Sequence, residues 1–436
     1  MTSGLAERVA STDPRLLLPP RGADRPERLT LEAAVRLPAE GPARYLAVAL
    51  DPSGGRLLLP LVRDDLGLRR ARPGDQIGLA VLRLLAGEGV GAGVIVRNGL
   101  SSALPPESAT ETHHTDVAGR EVFGIADRRV CLHLEPAAAE ILGDDLVGGL
   151  ERSAAVPMLG WVGEAWLETA DGAFLGPVAR ASVLPDGSVR LPERLQGLVA
   201  DQLRGADDGE PTLQTARLWG ASLGSIHREL AEQAAARGAV ARADDAVVSR
   251  WRREAMDVVA EAVVLAEGES AERLRAGRSV IRGAMEGLES TVGTPLIPAM
   301  PIAGPEVFVW LDGEPRLDPI ELDPPTGGWH SPTRDVATCL RTVDRLARSV
   351  HRRFIGSGFP APAERMTSWY EAVREQFVDG YREASGEAGG SPLFDERLLL
   401  AFEVEAECRS LSASSRVAPA GRSVSEAALA ALLTPG

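Results

Sequence analysis

The chain has 436 residues, 44% of them hydrophobic and 25% charged, which supplies material for sizeable cores and is too long for one ordinary domain. A formal net charge of −15 gives no basic footprint, so neither nucleic acid nor an anionic membrane surface is an expected partner. All 47 positions counted as Lys or Arg are arginine, which excludes any chemistry that needs a lysine ammonium.

The opening stretch MTSGLAERVASTDPRLLLPPRG has a short apolar core and carries acids, unlike a secretory signal, and residues 1–28 read as a flexible N-terminus. No apolar run is long enough to span a bilayer. Residues 29–110 read as a small α+β module. It starts with a hairpin over Ala43–Arg63 around the turn Asp51-Pro52-Ser53-Gly54-Gly55, followed by a helix over Ile77–Leu85 and a strand over Gly91–Arg97. Leu104–Thr115, rich in Pro, Ser and Thr, reads as a linker. The module at 111–190 has paired strands Val122–Ile125 and Val130–Leu134, a helix Pro136–Leu150, and strands Trp161–Glu168 and Phe174–Val183 about the Asp171-Gly172 turn. Strands, helix, strands is the order of a kinase N-lobe and of many other α+β domains.

Residues 191–436 are mainly helical. Leu213, Leu218, Leu223, Ile226 and Leu230 fall at helical spacing, and further helices are predicted at 246–266, 270–290, 333–354, 363–384, 393–414 and 424–433. Between them lies the Pro/Gly-rich stretch 295–330, with strands predicted at Val307–Trp310 and Leu317–Leu322 around Asp312-Gly313. The cysteines Cys131, Cys339 and Cys408 are far apart and have no metal-ligand spacing, the pattern of reduced thiols in a cytoplasmic protein. His113-His114 with Asp116 could pair on a metal but reads better as a solvated linker.

Five stretches in order resemble the maltokinases. They are Leu58–Arg63 with Ala71–Asp75, Pro157-Met158-Leu159-Gly160-Trp161, Trp219–His227, Ser331-Pro332-Thr333-Arg334-Asp335-Val336-Ala337, and Leu400–Glu405. The resemblance implies an α+β, protein-kinase-like two-lobed fold with a β-rich N-lobe and a helical C-lobe, preceded by a small α+β cap. Active members phosphorylate a sugar with ATP and magnesium.

Carried over residue by residue, the resemblance puts Glu140 at the helix glutamate that pairs a nucleotide-binding lysine, and this chain has no lysine for it to pair. The strand that would carry that lysine reads Arg128-Arg129-Val130-Cys131-Leu132-His133-Leu134. The family's His-Gly-Asp catalytic loop corresponds to Ala299-Met300-Pro301, with Pro301 at the base position and Glu306 at the metal-binding amide. Proline can neither orient a hydroxyl nor accept its proton. The family's metal carboxylate is expected at Asp323 in Leu322-Asp323-Pro324-Pro325, and Asp335 is expected to be structural, near a helix start. The helix end from Glu407 to Pro419 carries mostly small residues in place of the family's Tyr/Glu-rich sugar contacts. The sequence therefore predicts a cytoplasmic pseudokinase without a cofactor, with a protein partner in trehalose, maltose or α-glucan metabolism. The alternatives are an active ATP-dependent sugar or aminosugar kinase using magnesium, and a non-catalytic small-molecule sensor.

Overall fold

The computed structural model describes residues 2–433 apart from 19–27, 89–93, 98–109, 116–120, 126–129, 135–149, 151–152, 154–155, 169–173, 207–208, 300–303, 319–327, 360–361 and the single positions 40, 55, 73, 160, 267, 389 and 418. These residues form two compact units, one of 1–141 with 159–186 and the other of 142–158 with 187–436. Among the described residues no helix is long and apolar enough to cross a membrane.

In the first unit, helix α1 (Thr2–Ser11) packs on a four-stranded antiparallel sheet of β1 (Thr30–Arg36), β2 (Ala43–Leu50), β3 (Arg56–Asp64) and β4 (Gly67–Arg70). Alternate residues of β2 serve different cores. Ala47 and Ala49 pack with Leu5 and Val9 of α1, whereas Leu46 and Val48 pack with Ile77, Val81 and Phe123. A strand buried on both faces reads as a continuous apolar run, which is why this hairpin is legible as Tyr45–Leu50 and Leu57–Val62. Helix α2 (Ile77–Leu85) buries eight of its nine residues. Its Gln76 N-cap makes no side-chain cap, and the Glu111 carboxylate accepts from the Leu79 N–H instead, at 3.2 Å.

The second sheet has six strands in the order β5 (Val94–Arg97), β9 (Trp161–Glu168), β10 (Phe174–Val183), β8 (Val130–Leu134), β7 (Glu121–Ile125) and β6 (Glu111–Thr115). Two readings change here. The strand grouped with the first module pairs instead with β9, and the end of the expected linker forms β6, paired with β7 from Glu111↔Ile125 to Thr115↔Glu121. Polar composition made 104–115 look like a loop, but an edge strand tolerates polar residues on its open side. The helix predicted at Pro136–Leu150 lies outside the described residues save for Leu150.

In the second unit, α3 (Leu191–Arg204), α4 (Glu210–Ala236), α5 (Asp245–Leu265), α6 (Gly268–Ala276), α7 (Arg278–Gly287), α8 (Pro332–Gly356), α9 (Ala363–Ser385), α10 (Glu396–Val417) and α11 (Pro419–Leu432) surround one core. The single helix predicted at 270–290 is divided at Gly277. Helices α4 and α9 approach backbone to backbone. A Cβ on Gly220 would lie 2.0 Å from the Phe377 carbonyl oxygen, and one on Gly380 would lie 2.1 Å from that of Arg217. Glycine at both positions lets the Trp219 and Phe377 rings meet at a tilt of 54°, with centroids 4.4 Å apart. This crossing anchors His227 of α4 beside Tyr381 of α9.

Candidate functional site

The site in the second unit is built on a hairpin of β14 (Phe308–Leu311) and β15 (Glu314–Leu317), preceded by a single 3-10 turn, Pro305–Val307. Asp312 and Gly313 both have positive φ, 53° and 85°, the pairing that a two-residue type I′ turn requires. The turn fixes the register as Leu311↔Glu314 through Phe308↔Leu317, so the second strand starts at 314 and not at the predicted 317. Asp318 is the first residue past that strand, and its N–H donates to the Val307 carbonyl at 2.8 Å.

The Asp318 side chain is fully buried, and its carboxylate lies 2.9 Å from the Arg190 guanidinium. Arg190 ends the short strand β11 (Val189–Arg190), which pairs with β14 as Arg190↔Val309. It also donates to the Glu306 carbonyl at 3.5 Å. One guanidinium therefore joins the carboxylate after the hairpin to the turn before it. Burying a carboxylate is costly without a partner, and arginine supplies a charge that does not titrate.

In a separate small sheet, β12 (Ala241–Arg242) pairs with β13 (Pro295–Pro298), which pairs in turn with β16 (Trp329–His330) through Ile297↔His330, and the residue after β13, Ala299, donates from its N–H to the Gly328 carbonyl at 2.7 Å. His330 thereby reaches Asp335 in the first turns of α8. The Asp335 carboxylate lies 3.0 Å from His330 Nε2 and 3.2 Å from His227 Nε2, and His227 Nδ1 is 2.7 Å from the Tyr381 hydroxyl. Burial alone would raise Asp335, but the two imidazoles outweigh it through charge and hydrogen bonding and hold it at about 2. Burial lowers His227 despite Asp335. Asp335 is thus more than the helix-start residue read from sequence: its carboxylate joins α4, α8 and the strand that precedes α8. Cys339, one turn along α8, is buried, and burial, aided by the negative charges of Asp335 and Glu306, raises its thiol well above the ordinary range.

The acidic residues of α10 are turned to structural use. Glu403, Glu405 and Glu407 are buried. Glu407 lies 3.3 Å from Arg341 and 3.1 Å from Arg345, Glu403 is held by Arg374, and Glu405 lies 3.0 Å from Arg334. Burial still raises Glu407, with the arginines opposing it.

Of the residues predicted from sequence, Glu306 lies in the 3-10 turn and is exposed, with its carboxylate folded back over Gly304. A Cβ on Gly304 would lie 2.3 Å from Glu306 Oε2. Glu140, Pro301 and Asp323 lie outside the described residues, as does Asp116, while His113 and His114 fall in β6. The sequence reading missed Asp318 and Arg190. The Asp312-Gly313 dipeptide was the available signal, because a two-residue turn dictates where the next strand starts and hence which carboxylate follows it.

Among the described residues no group of three or more His, Cys, Asp or Glu could hold a metal ion, and Asp323, where the resemblance implies the metal carboxylate, lies outside them. Asp318 is engaged by Arg190.

No family model matches the chain. It is 28% identical to a glucosamine kinase of Streptacidiphilus jiangxiensis over 434 residues, covering 94% of this chain and 93% of that protein. It is similar to the structure of a glucosamine kinase in complex with glucosamine, ADP and inorganic phosphate, at TM-score 0.70 and 23% identity over 100% of both chains. A glucosamine kinase in crystal form B gives TM-score 0.73 at 23% identity, over 98% of this chain and 99% of that one. The fold is therefore α+β and kinase-like, of the sugar-kinase type.

Proposed function

We propose that the chain is an ATP-dependent aminosugar kinase acting on a glucosamine-type substrate. The carrying observation is the end-to-end likeness to a glucosamine kinase, with both chains matched over nearly their whole length. That likeness favours an aminosugar kinase over both the maltose substrate and the inactive chain suggested by the sequence motifs. The fold supports it by holding a fully buried carboxylate, Asp318, directly after the hairpin and a brace, Asp335 with His227 and His330, whose His330 is paired to the strand Pro295–Pro298.

Transfer from ATP to a sugar hydroxyl is mainly positioning and charge stabilisation, with a carboxylate orienting the hydroxyl. Pro301 cannot serve in that role, so Glu306, in the 3-10 turn before the hairpin, is proposed to take it. Arg190 is proposed to supply fixed positive charge at the hairpin in a chain without lysine. A second reading, a non-catalytic relative with a binding or regulatory role in trehalose, maltose or α-glucan metabolism, is favoured by Pro301 and by the absence of lysine.

Mass-spectrometric detection of glucosamine phosphate, after incubating purified protein with ATP and glucosamine, separates the two. The kinase reading expects turnover in the range of about 1–100 per second. Glu306→Gln should reduce it by about 10²–10⁴-fold, the contribution of a positioned general base. Wild-type turnover below about 10⁻³ per second, several decades under that kinase range, would leave the non-catalytic reading standing.

A further inference from the structure

We infer, building on the role proposed for Glu306, that Arg190 and Asp318 are its positioning residues: the pair fixes the turn Pro305–Val307 and so the direction in which the Glu306 side chain leaves the backbone.

Three contacts carry it. The Arg190 guanidinium lies 2.9 Å from the Asp318 carboxylate, and it also reaches the Glu306 carbonyl, a long contact of 3.5 Å. The Asp318 N–H donates to the Val307 carbonyl at 2.8 Å. Two successive carbonyls are therefore held by the two members of one ion pair. Because each peptide unit is planar, holding the carbonyls on both sides of Val307 fixes the peptide plane that follows Glu306. Within the turn, the Phe308 N–H donates to the Pro305 carbonyl.

The pair is anchored outside the turn. Arg190 is paired with Val309, Asp318 follows Leu317, which is paired with Phe308, and the Asp318 side chain is fully buried. A buried carboxylate keeps the guanidinium against it, because separating the two leaves a charge without a partner and out of water. Lysine at 190 would keep the charge but lose the planar fork that reaches carboxylate and carbonyl at once. A reacting group misplaced by about 1 Å can cost about 10²-fold in rate, so a small loosening of this turn is enough to be measured.

The experiment compares full-length wild type, Arg190→Lys, Arg190→Met and Glu306→Gln by melting midpoint, by kcat and KM for glucosamine with ATP, and by hydrogen exchange at the Phe308 amide. Arg190→Lys is expected to melt near wild type and to exchange the Phe308 amide at least about tenfold faster. Its kcat should fall by about 10–10²-fold while KM changes less than about threefold. Arg190→Met should show the same pattern, larger, on a lower midpoint. A pair that only stabilised the fold would lower the midpoint and leave kcat and Phe308 exchange of the folded enzyme unchanged, which would overturn the inference. Full kcat in a folded Arg190→Lys, beside a kcat lost in Glu306→Gln, would overturn it too, since the charge alone would then suffice. Wild type without turnover would sink the kinase reading separately. Exchange at Phe308 then decides: faster exchange in Arg190→Lys upholds the pair's hold on the turn, and an unchanged rate refutes it. If Arg190→Met does not fold, Arg190→Lys carries the test.

Discussion

Two buried carboxylates of the helical unit, Asp335 and Asp318, meet the cost of burial in different ways. Asp335 is satisfied by two imidazoles, one of which is held in turn by a tyrosine hydroxyl, so its partners can change protonation. Asp318 is satisfied by a guanidinium that cannot. The first arrangement braces strand, helix and helix. The second ties the end of the hairpin to the turn before it with a charge that does not titrate. The difference teaches that one fold can meet the same burial cost with a titratable network and with a fixed charge.

The largest expected effect comes from removing the brace. Asp335→Ala leaves two histidines without their common acceptor and should cost about 3–5 kcal/mol, the scale for breaking a buried charged network. A residue that only began a helix would cost about 0.5–2 kcal/mol. Denaturant midpoints at constant slope distinguish the two.

Next is the helix crossing that presents His227 to that brace. Gly220→Ala places a methyl against the Phe377 carbonyl oxygen, which cannot move without shifting α9. Overpacking at the upper end of its usual range, about 3 kcal/mol, is expected in the same melts. An unchanged midpoint would mean that the two helices sit further apart.

Acid should separate the two carboxylates. Asp335 is held at about 2 in the fold against an ordinary 3.8, so its contribution, about 2 kcal/mol, is complete above the ordinary carboxylate range and lost as pH falls through that window. His227 adds a loss at milder acidity. Burial depresses it, so the unfolded chain takes up its proton near 6.5 while the fold does not, and stability falls as pH drops below that value. The stability–pH slope below about 6.5 should flatten in His227→Gln. Arg190→Lys, by contrast, should leave that slope intact. A smaller effect, about 1–2 kcal/mol, is expected for Tyr381→Phe, which leaves a buried ring nitrogen of His227 without its hydroxyl partner.

The sequence made the elements legible where periodicity was strong. The β2–β3 hairpin and the long helices α4, α8 and α9 stand where their apolar spacing put them, because burial on one or both faces writes itself into the residue pattern. The site was less legible because it depends on register. Reading Leu317–Leu322 as a strand followed an apolar run, whereas the strand is set by the Asp312-Gly313 turn and ends five residues earlier, so the carboxylate that follows it, Asp318, went unread. The Asp335 brace could not be read either. Its partners His227, His330 and Tyr381 are spread over 154 positions, and nothing local marks them as neighbours. Arg190 escaped notice for the same reason: it lies 128 positions before Asp318, counting 318 − 190, on a strand of two residues.

The most direct measurement of the central claim, a sugar-kinase-type scaffold that acts on an aminosugar, is calorimetric titration of ATP into the full chain with excess magnesium, without and with glucosamine present. The account predicts ATP binding with a dissociation constant tighter than about 1 mM, about −4 kcal/mol. No detectable ATP binding in either condition would contradict it.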